Sequence, residues 1–451
     1  MRERVTVLGA GLAGCEAAWR CARNGLSVLL YEMRPRQGTP VHRTGLFAEL
    51  VCSNSLRASS LTNAAGLLKA ELEDMDSLVM RAARASAVPA GGALAVDREA
   101  FSQFITGALA EHPCIEIRRE EARRIPEEGI VIVATGPLTS PALADSIRAF
   151  TGSDYLYFYD AIAPVVDAGS IDFEKTFRQS RYGKDGDGEY LNCPLTREQY
   201  LRFREALVSA ECAPLKDFEK AIYFEGCLPV EEMARRGEDT LRFGPLKPVG
   251  LVDSRTGLRP YAAVQLRQDN LSASMFNMVG FQTNLRWPEQ ERVFRMIPGL
   301  EAAEFHRMGQ MHRNTYINAP AILGSSFEAR RRAGLFFAGQ ISGVEGYIES
   351  AASGLMAGLH AAAAAIGASA AVPPPTTAMG ALARYVSHAP EDGYQPMKMN
   401  WGIFEEMENQ PRDKESKKVA YAERARWDFQ NWMLALPAWE DARPARRWAG
   451  M

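Results

Sequence analysis

Nothing in the sequence pairs its cysteines. There are seven in 451 residues, an odd number, scattered, and none forms a C-x-x-C pair. That excludes a disulfide framework and a cysteine-rich zinc site, and it favours reduced thiols. The six histidines show neither H-x-x-x-H nor H-E-x-x-H spacing, so no metal is expected. No apolar run reaches the ~20 residues that span a bilayer, and the Ala-rich stretch 357–371 is too weakly apolar to do so. The first residues enter a strand-like run almost at once, leaving no room for a signal peptide. A cytoplasmic protein is expected. Net charge is only −3, so the molecule as a whole has no polyanion-binding signature, and any nucleic-acid surface must be a local patch. Apolar and charged contents of 47% and 24% are those of an ordinary globular protein, long enough for two or three domains.

What is present is concentrated at the N-terminus. Residues 5–8 read as a buried parallel strand. Gly9-Ala10-Gly11-Leu12-Ala13-Gly14 then makes a G-x-G-x-x-G turn, residues 15–23 an Ala-rich helix, and residues 27–31 a second strand ending at Glu32. In such a unit Gly9 permits the tight turn, Gly11 lets a pyrophosphate approach the backbone, and Gly14 lets helix and strand pack closely. The helix N-terminus offers N–H groups to phosphate. Glu32 can accept hydrogen bonds from a ribose 2′-OH, which points to FAD or NAD with a free ribose. The fold class expected is α/β, a Rossmann-like dinucleotide domain of the glutathione-reductase type with an inserted α+β domain.

The rest of the chain is read against that unit. A loop carries Cys52 among Ser53, Asn54 and Ser55, good local hydrogen-bonders; on the residues alone Cys52 is a buried spacer or a working thiol, the spacer favoured. Residues 66–84 look helical, and residues 95–98 lead into a helix that runs through 110. Residues 115–117 and 129–137 look like strands, the second ending in Ala-Thr-Gly. From about residue 152 the texture changes to aromatic clusters, a polar loop at 181–190, a helix at 196–209 and strand-like segments at 221–224, 241–243 and 261–267. Cys227, between Gly226 and Leu228-Pro229, precedes an acidic helical start; it is a thiolate-stabilised nucleophile or a small buried turn residue. Trp287 opens a helix. His306, Arg307, His312, Arg313, Arg330, Arg331 and Arg332 form the densest basic stretch, either for phosphates or as a solvated face. Residues 334–340 return as a strand, followed by Gly-rich Ile341-Ser342-Gly343-Val344-Glu345-Gly346-Tyr347 and an Ala/Gly helix at 351–358 suited to close approach by an isoalloxazine. Pro373-Pro374-Pro375 marks a boundary before a polar, Trp-bearing tail, whose tryptophans are expected to cap the core or an interface. The expected division is 1–150 for the first part of the dinucleotide domain, 151–320 for the insertion, and 321–451 for the second part and tail.

Together GAGLAGCEAAW, LVCSNSLR, YFEGCLPVEEMARRGEDTLRFGPLKPVGL, NMVGFQTNL and FAGQISGVEGYIESAASGLMAG resemble the TrmFO family of folate- and FAD-dependent tRNA uracil-5-methyltransferases. The related GidA/MnmG wobble-uridine flavoproteins share the first and last motifs but lack the YFEGCLPVEEMARRG block. The resemblance implies FAD, 5,10-methylenetetrahydrofolate as carbon donor, NADH or NADPH to reload the flavin, and tRNA as substrate, with no membrane and no obligatory protein partner. It implies Cys227 as the nucleophile that adds to uracil C6 and Cys52 as a second catalytic thiol, the acceptor of the C5 proton. It places Trp287 and Tyr347 near the flavin, and with the motif residues it makes Gly339, Gln340 and Gly346 part of the cofactor site. Rival readings are a wobble-uridine enzyme, a non-catalytic dinucleotide-binding RNA scaffold that would need neither thiol, and a small-molecule flavin oxidoreductase. The last is weakened by the lack of a second G-x-G-x-x-G.

Overall fold

A computed structural model describes residues 4–152, 156–181, 189–214, 228–369 and 371–436. Cys227, Trp439, Trp448, the strand expected at 221–224 and the middle of the 181–190 loop lie outside the described residues.

The strand Arg4–Leu8 is the centre of a five-stranded parallel sheet. Ser27–Tyr31 and Ile130–Val133 flank it, with Ile115–Arg118 and Leu335–Phe337 at the two edges. Val131, Ile132 and Val133 are all fully buried, so both faces of this strand are covered, as a parallel sheet requires. The helix Leu12–Arg23 begins three residues before the expected start. Gly11 is its extended N-cap, so the second half of G-x-G-x-x-G is already helical. Residues 66–84 form two helices rather than one, Ala64–Asp74 and Leu78–Ala85. The break falls at Asp76, which has a positive φ of 55°, and at Ser77, whose side chain caps the second helix by accepting Met80 N–H.

The helix Tyr347–Ala365 lies against Leu12–Arg23, small residues facing small residues. A Cβ on Gly354 would overlap the Ala13 carbonyl, one on Gly358 would come within 2.8 Å of the Ala17 carbonyl, and Cys21 Sγ–H donates to Gly358 O at 3.4 Å. This corrects the sequence reading of these glycines. They serve contact between two helices, and only the start of the helix is left to face a cofactor.

The middle of the chain builds a six-stranded sheet with its own core around Tyr200, Phe203, Phe281 and Phe294. Its spatial order is Phe177–Arg178, Tyr190–Leu195, Ala262–Gln268, Met275–Met278, Val165–Asp167 and Phe305–Arg307, every neighbouring pair antiparallel. Arg197–Ser209 packs on it, started by a capping box between Thr196 and Gln199. Residues 241–243, expected as a strand, belong to the short helix Thr240–Phe243. Three residues carry too little periodicity to separate the two states. A two-stranded antiparallel ribbon, Leu156–Ile162 with Gln310–Tyr316, carries the chain out and back.

Residues 376–436 are not a tail. Ala378–His388 joins the first core, its opening N–H groups at Ala378 and Met379 donating to the buried Glu71 carboxylate at 2.8 Å each. Lys414–Leu434 packs against Ala64–Asp74. Trp401 and Trp432 cap the core and donate to the Thr62 and Ala371 carbonyls, whereas Trp427 is 67% exposed. Among the described residues no helix is long and apolar enough to cross a membrane.

Two measurements test this packing. Gly354→Ala should destabilise by about 1–3 kcal/mol, because overpacking against backbone outweighs the gain in helix propensity. Gly107→Ala, on the helix Arg98–Ala110 with open space around the new methyl, should stabilise by about 0.4–1 kcal/mol; thermal melts of the two variants should move in opposite directions. His360 on Tyr347–Ala365 is buried with Nε2 unpartnered, and burial pushes its pKa from 6.5 down to about 4. The unfolded chain therefore binds the proton first, so His360 contributes stability that is lost as pH falls from about 6.5 to about 4. His360→Leu should flatten that part of a denaturation curve measured against pH.

Candidate active site

The carboxyl ends of the parallel strands open into a cleft of about 390 Å³, where a doubly wound sheet binds its ligand. Gly9, Gly11, Leu12 and Ala13 form its floor, and Gly339, Gln340, Gly346 and Tyr347 its far wall. Gly9 has φ +97°, and a Cβ there would press to 2.7 Å on the Ala134 carbonyl. At Gly11 a Cβ would meet no protein atom within 4 Å, so the space it would fill is the cleft itself. The N-cap makes no side-chain hydrogen bond, leaving the first-turn N–H groups of Leu12–Arg23 for an anion. These features fit a dinucleotide. Ala10 and Gly14 stand behind the turn instead of lining the cleft: Ala10 is buried, and Gly14 packs against the Gly9 carbonyl.

Glu32 closes the strand Ser27–Tyr31 and is 6% exposed. Its carboxylate accepts the Ala10 N–H and the N–H and Nε–H of Arg34, each at 3.0 Å. Burial acts to raise its pKa, but the Arg34 guanidinium and these donors together outweigh burial and hold the carboxyl below its usual range. Glu32 is thus an ionised acceptor on the cleft wall, the form a ribose hydroxyl needs.

Cys52 lines the same cleft, brought there by a loop without regular structure. The N–H groups of Cys52 and Ser53 donate to the Tyr347 hydroxyl at 2.8 and 3.1 Å. Tyr347, expected only as a flavin neighbour, therefore also anchors the thiol's backbone. Desolvation and then the Asp160 charge push the Cys52 thiol up to about 12, while Lys398 and Arg98 pull the other way. Glu345 is raised to about 8, first by burial and then by Asp160, and accepts a hydrogen bond from Gln340. Asp160, His312, Asn314, Glu345 and Lys398 all line the cleft. By sequence His312 was read only as part of the basic stretch and Glu345 only as part of the Gly-rich segment; the five converge from four separate stretches. His312 and Asp160 meet only through the register of the two-stranded ribbon. The alternation of the ribbon strands is the one signal that could have found them.

The structure does not bring Trp287 to this cleft. It is 60% exposed at the start of Trp287–Phe294, in a neighbouring cleft with Tyr159, Arg286 and Arg313; His312 borders both. Nor do the basic residues form one face. Arg307 is buried, Arg313 lies over the Tyr157 ring at 4.1 Å, and Arg330 donates to Ser387 O at 3.0 Å. Among the described residues no group of three His, Cys, Asp or Glu is placed to hold a metal.

The family described as glucose inhibited division protein A matches residues 4–369. A protein of Pelotomaculum thermopropionicum named methylenetetrahydrofolate–tRNA-(uracil-5-)-methyltransferase TrmFO is 60% identical, the alignment covering 93% of this chain and 96% of that one. A Geobacter sulfurreducens protein of the same name is 56% identical over 97% of this chain and 100% of its own. The chain belongs to the TrmFO proteins of the glucose inhibited division protein A family. Two crystal forms of Aquifex aeolicus GidA share the fold, with TM-scores of 0.70 and 0.68 at 16% and 15% identity; each covers 98% of this chain, and 78% and 75% of the GidA chain. The TrmFO relatives match nearly end to end, so the cleft, Cys52 and the antiparallel sheet all fall within the shared length.

Glu32→Ala removes a carboxylate that lines the cleft with Gly9 and Gly11. The purified variant should retain less FAD than the parent, read as the flavin-to-protein absorbance ratio; an equal ratio would remove Glu32 from the cofactor site.

Proposed function

We propose that the chain methylates C5 of the T-loop uridine of tRNA, taking the carbon from 5,10-methylenetetrahydrofolate and the reducing equivalents from FAD. The observation that carries this reading is that a dinucleotide cleft and Cys52 share one cavity, in a chain 60% identical over 93% of its length to a protein named for the reaction. Reduced FAD, when bound, would supply the hydride that reduces a transferred methylene to methyl. The chain's own residues bind and orient. Gly11 and the first turn of Leu12–Arg23 take the pyrophosphate, Glu32 takes a ribose hydroxyl, and Gly339, Gln340, Gly346 and Tyr347 bound the space for the isoalloxazine.

Uracil C5 is a poor nucleophile until something adds at C6. Cys227 is assigned that addition, which makes C5 an enolate carbon able to attack the folate methylene. The bond from the methylene carbon to the folate nitrogen breaks as tetrahydrofolate leaves, and the Cys227 thiolate is expelled from C6 to free the product. The C5 proton must also leave, and Cys52 is the group assigned to take it. A neutral thiol cannot accept a proton, so this role needs Cys52 as thiolate. Burial opposes that form most and Asp160 next, while the charges of Lys398 and Arg98 favour it. Trp287 offers an exposed ring beside the cleft for stacking. NADH or NADPH reloads the flavin, the setting is cytoplasmic, and no protein partner is required. The division at residues 150 and 320 belongs to the same reading, supported by the separate apolar cores of the parallel and antiparallel sheets.

The test is an assay with methylene-labelled tetrahydrofolate, NAD(P)H and unmodified tRNA, followed by nucleoside analysis. Labelled ribothymidine is expected; FAD-bound protein that consumes NAD(P)H without labelling tRNA would reject the reading. Cys227→Ala should abolish labelling while keeping the flavin, and Cys52→Ala should lower it by about a hundredfold or more.

A further inference from the structure

We propose that Arg267, supported by the Arg98–Asp269 ion pair, is a positioning residue that fixes the Cys52 loop from the antiparallel sheet. Arg267 closes the inner part of the strand Ala262–Gln268, is 6% exposed, and sends its guanidinium across to the dinucleotide half. Its Nε–H donates to Asn54 Oδ1 at 3.0 Å and its Nη2–H to Ser53 Oγ at 2.8 Å. Asn54, fully buried, passes the hold on: Nδ2–H donates to Val96 O and to Gln268 O, each at 3.0 Å. On the other side of Cys52, Arg98 donates to Leu50 O at 2.8 Å while pairing with Asp269 at 3.1 Å.

The thiol is thus held before and after in sequence by two arginines, Arg98 half-buried and Arg267 buried, and at its own N–H by Tyr347. A loop with no ladder of its own needs such partners to keep one geometry. Two guanidinium N–H groups directed at two neighbouring oxygens suit the planar fork of arginine, which a lysine cannot reproduce. The arrangement makes the placement of Cys52 depend on the seating of the antiparallel sheet against the parallel one. This inference rests on the assignment of Cys52 as a catalytic thiol.

The test uses FAD-loaded enzyme carrying Arg267→Met, Arg267→Lys, Ser53→Ala or Cys52→Ala. The readouts are flavin content, kcat, KM for tRNA and folate, and the rate at which iodoacetamide alkylates Cys52, located by mass spectrometry. Arg267→Met should keep its flavin, lose about tenfold or more in kcat with KM within about twofold, and alkylate at Cys52 several times faster. Arg267→Lys should recover part of the loss. Parental kcat and alkylation rate in Arg267→Met would overturn the proposal. If Arg267→Met does not fold, Ser53→Ala decides, since it deletes only the one oxygen that accepts Arg267 and the Ser55 N–H: lower kcat and faster alkylation are expected, and parental values of both overturn it. Full turnover in Cys52→Ala would reject the catalytic role of the thiol, and the alkylation rates alone would then judge the clamp.

Discussion

The contact on which the rest depends is the meeting of two small-residue helices beneath the nucleotide turn. Ala13 and Ala17 of Leu12–Arg23 lie directly against Gly354 and Gly358 of Tyr347–Ala365, with no room for a Cβ at either glycine. That approach brings a segment more than three hundred residues downstream to the first turn of the chain. It sets Gly339, Gly346 and Tyr347 across from Gly9 and Gly11, so the cleft has two walls. Bulkier residues at the crossing would move the walls apart and leave a turn without a pocket. The phosphate-binding features of the N-terminal unit gain a complete site only through this packing.

From the second wall the structure reaches the chemistry. Tyr347 sits at the start of the same helix, and its hydroxyl accepts two consecutive N–H groups of the Cys52 loop. The helix that completes the cofactor cleft therefore also holds the thiol. Arg267 and Arg98 hold the loop from the opposite direction. A reaction that joins a flavin, a folate carbon and a uracil ring needs three ligands in fixed relation, and interlocked anchors of this kind supply it. The cost is a site crowded with charge. Asp160, Glu345 and Lys398 face the same space; burial first and then Asp160 push the thiol towards its neutral form.

Much of this was legible in the sequence, for stated reasons. The strand Ser27–Tyr31 has the predicted bounds, and the helix expected at 196–209 is Arg197–Ser209 with Thr196 as its N-cap. Gly9, Gly11, Leu12 and Ala13 of the Gly-rich turn line one cleft with Glu32, Cys52, Gly339, Gln340, Gly346 and Tyr347. Other readings failed where local pattern was silent. The glycines of 351–358 looked suited to a cofactor because small residues permit any close approach, whether by ligand or by helix. Residues 241–243 looked extended because so short a run has no period. The stretch after Pro375 looked like a tail because its buried face is seen only against Glu71 and the helix Ala64–Asp74.

The sequence by itself determined the dinucleotide unit, since its turn, helix dipole and acid are local and follow from residue type and spacing over thirty positions. It also determined membership of the TrmFO family, since that is a property of linear motifs. Tertiary structure alone decided which residues surround Cys52. Arg98, Asp160, Arg267 and Lys398 are polar residues with no periodicity or motif that marks them. Their meeting depends on strand register, on the crossing of two helices and on the seating of one sheet against another. Hydrogen bonds and charges act over a few ångströms of space regardless of distance along the chain, and only the folded molecule fixes those few ångströms.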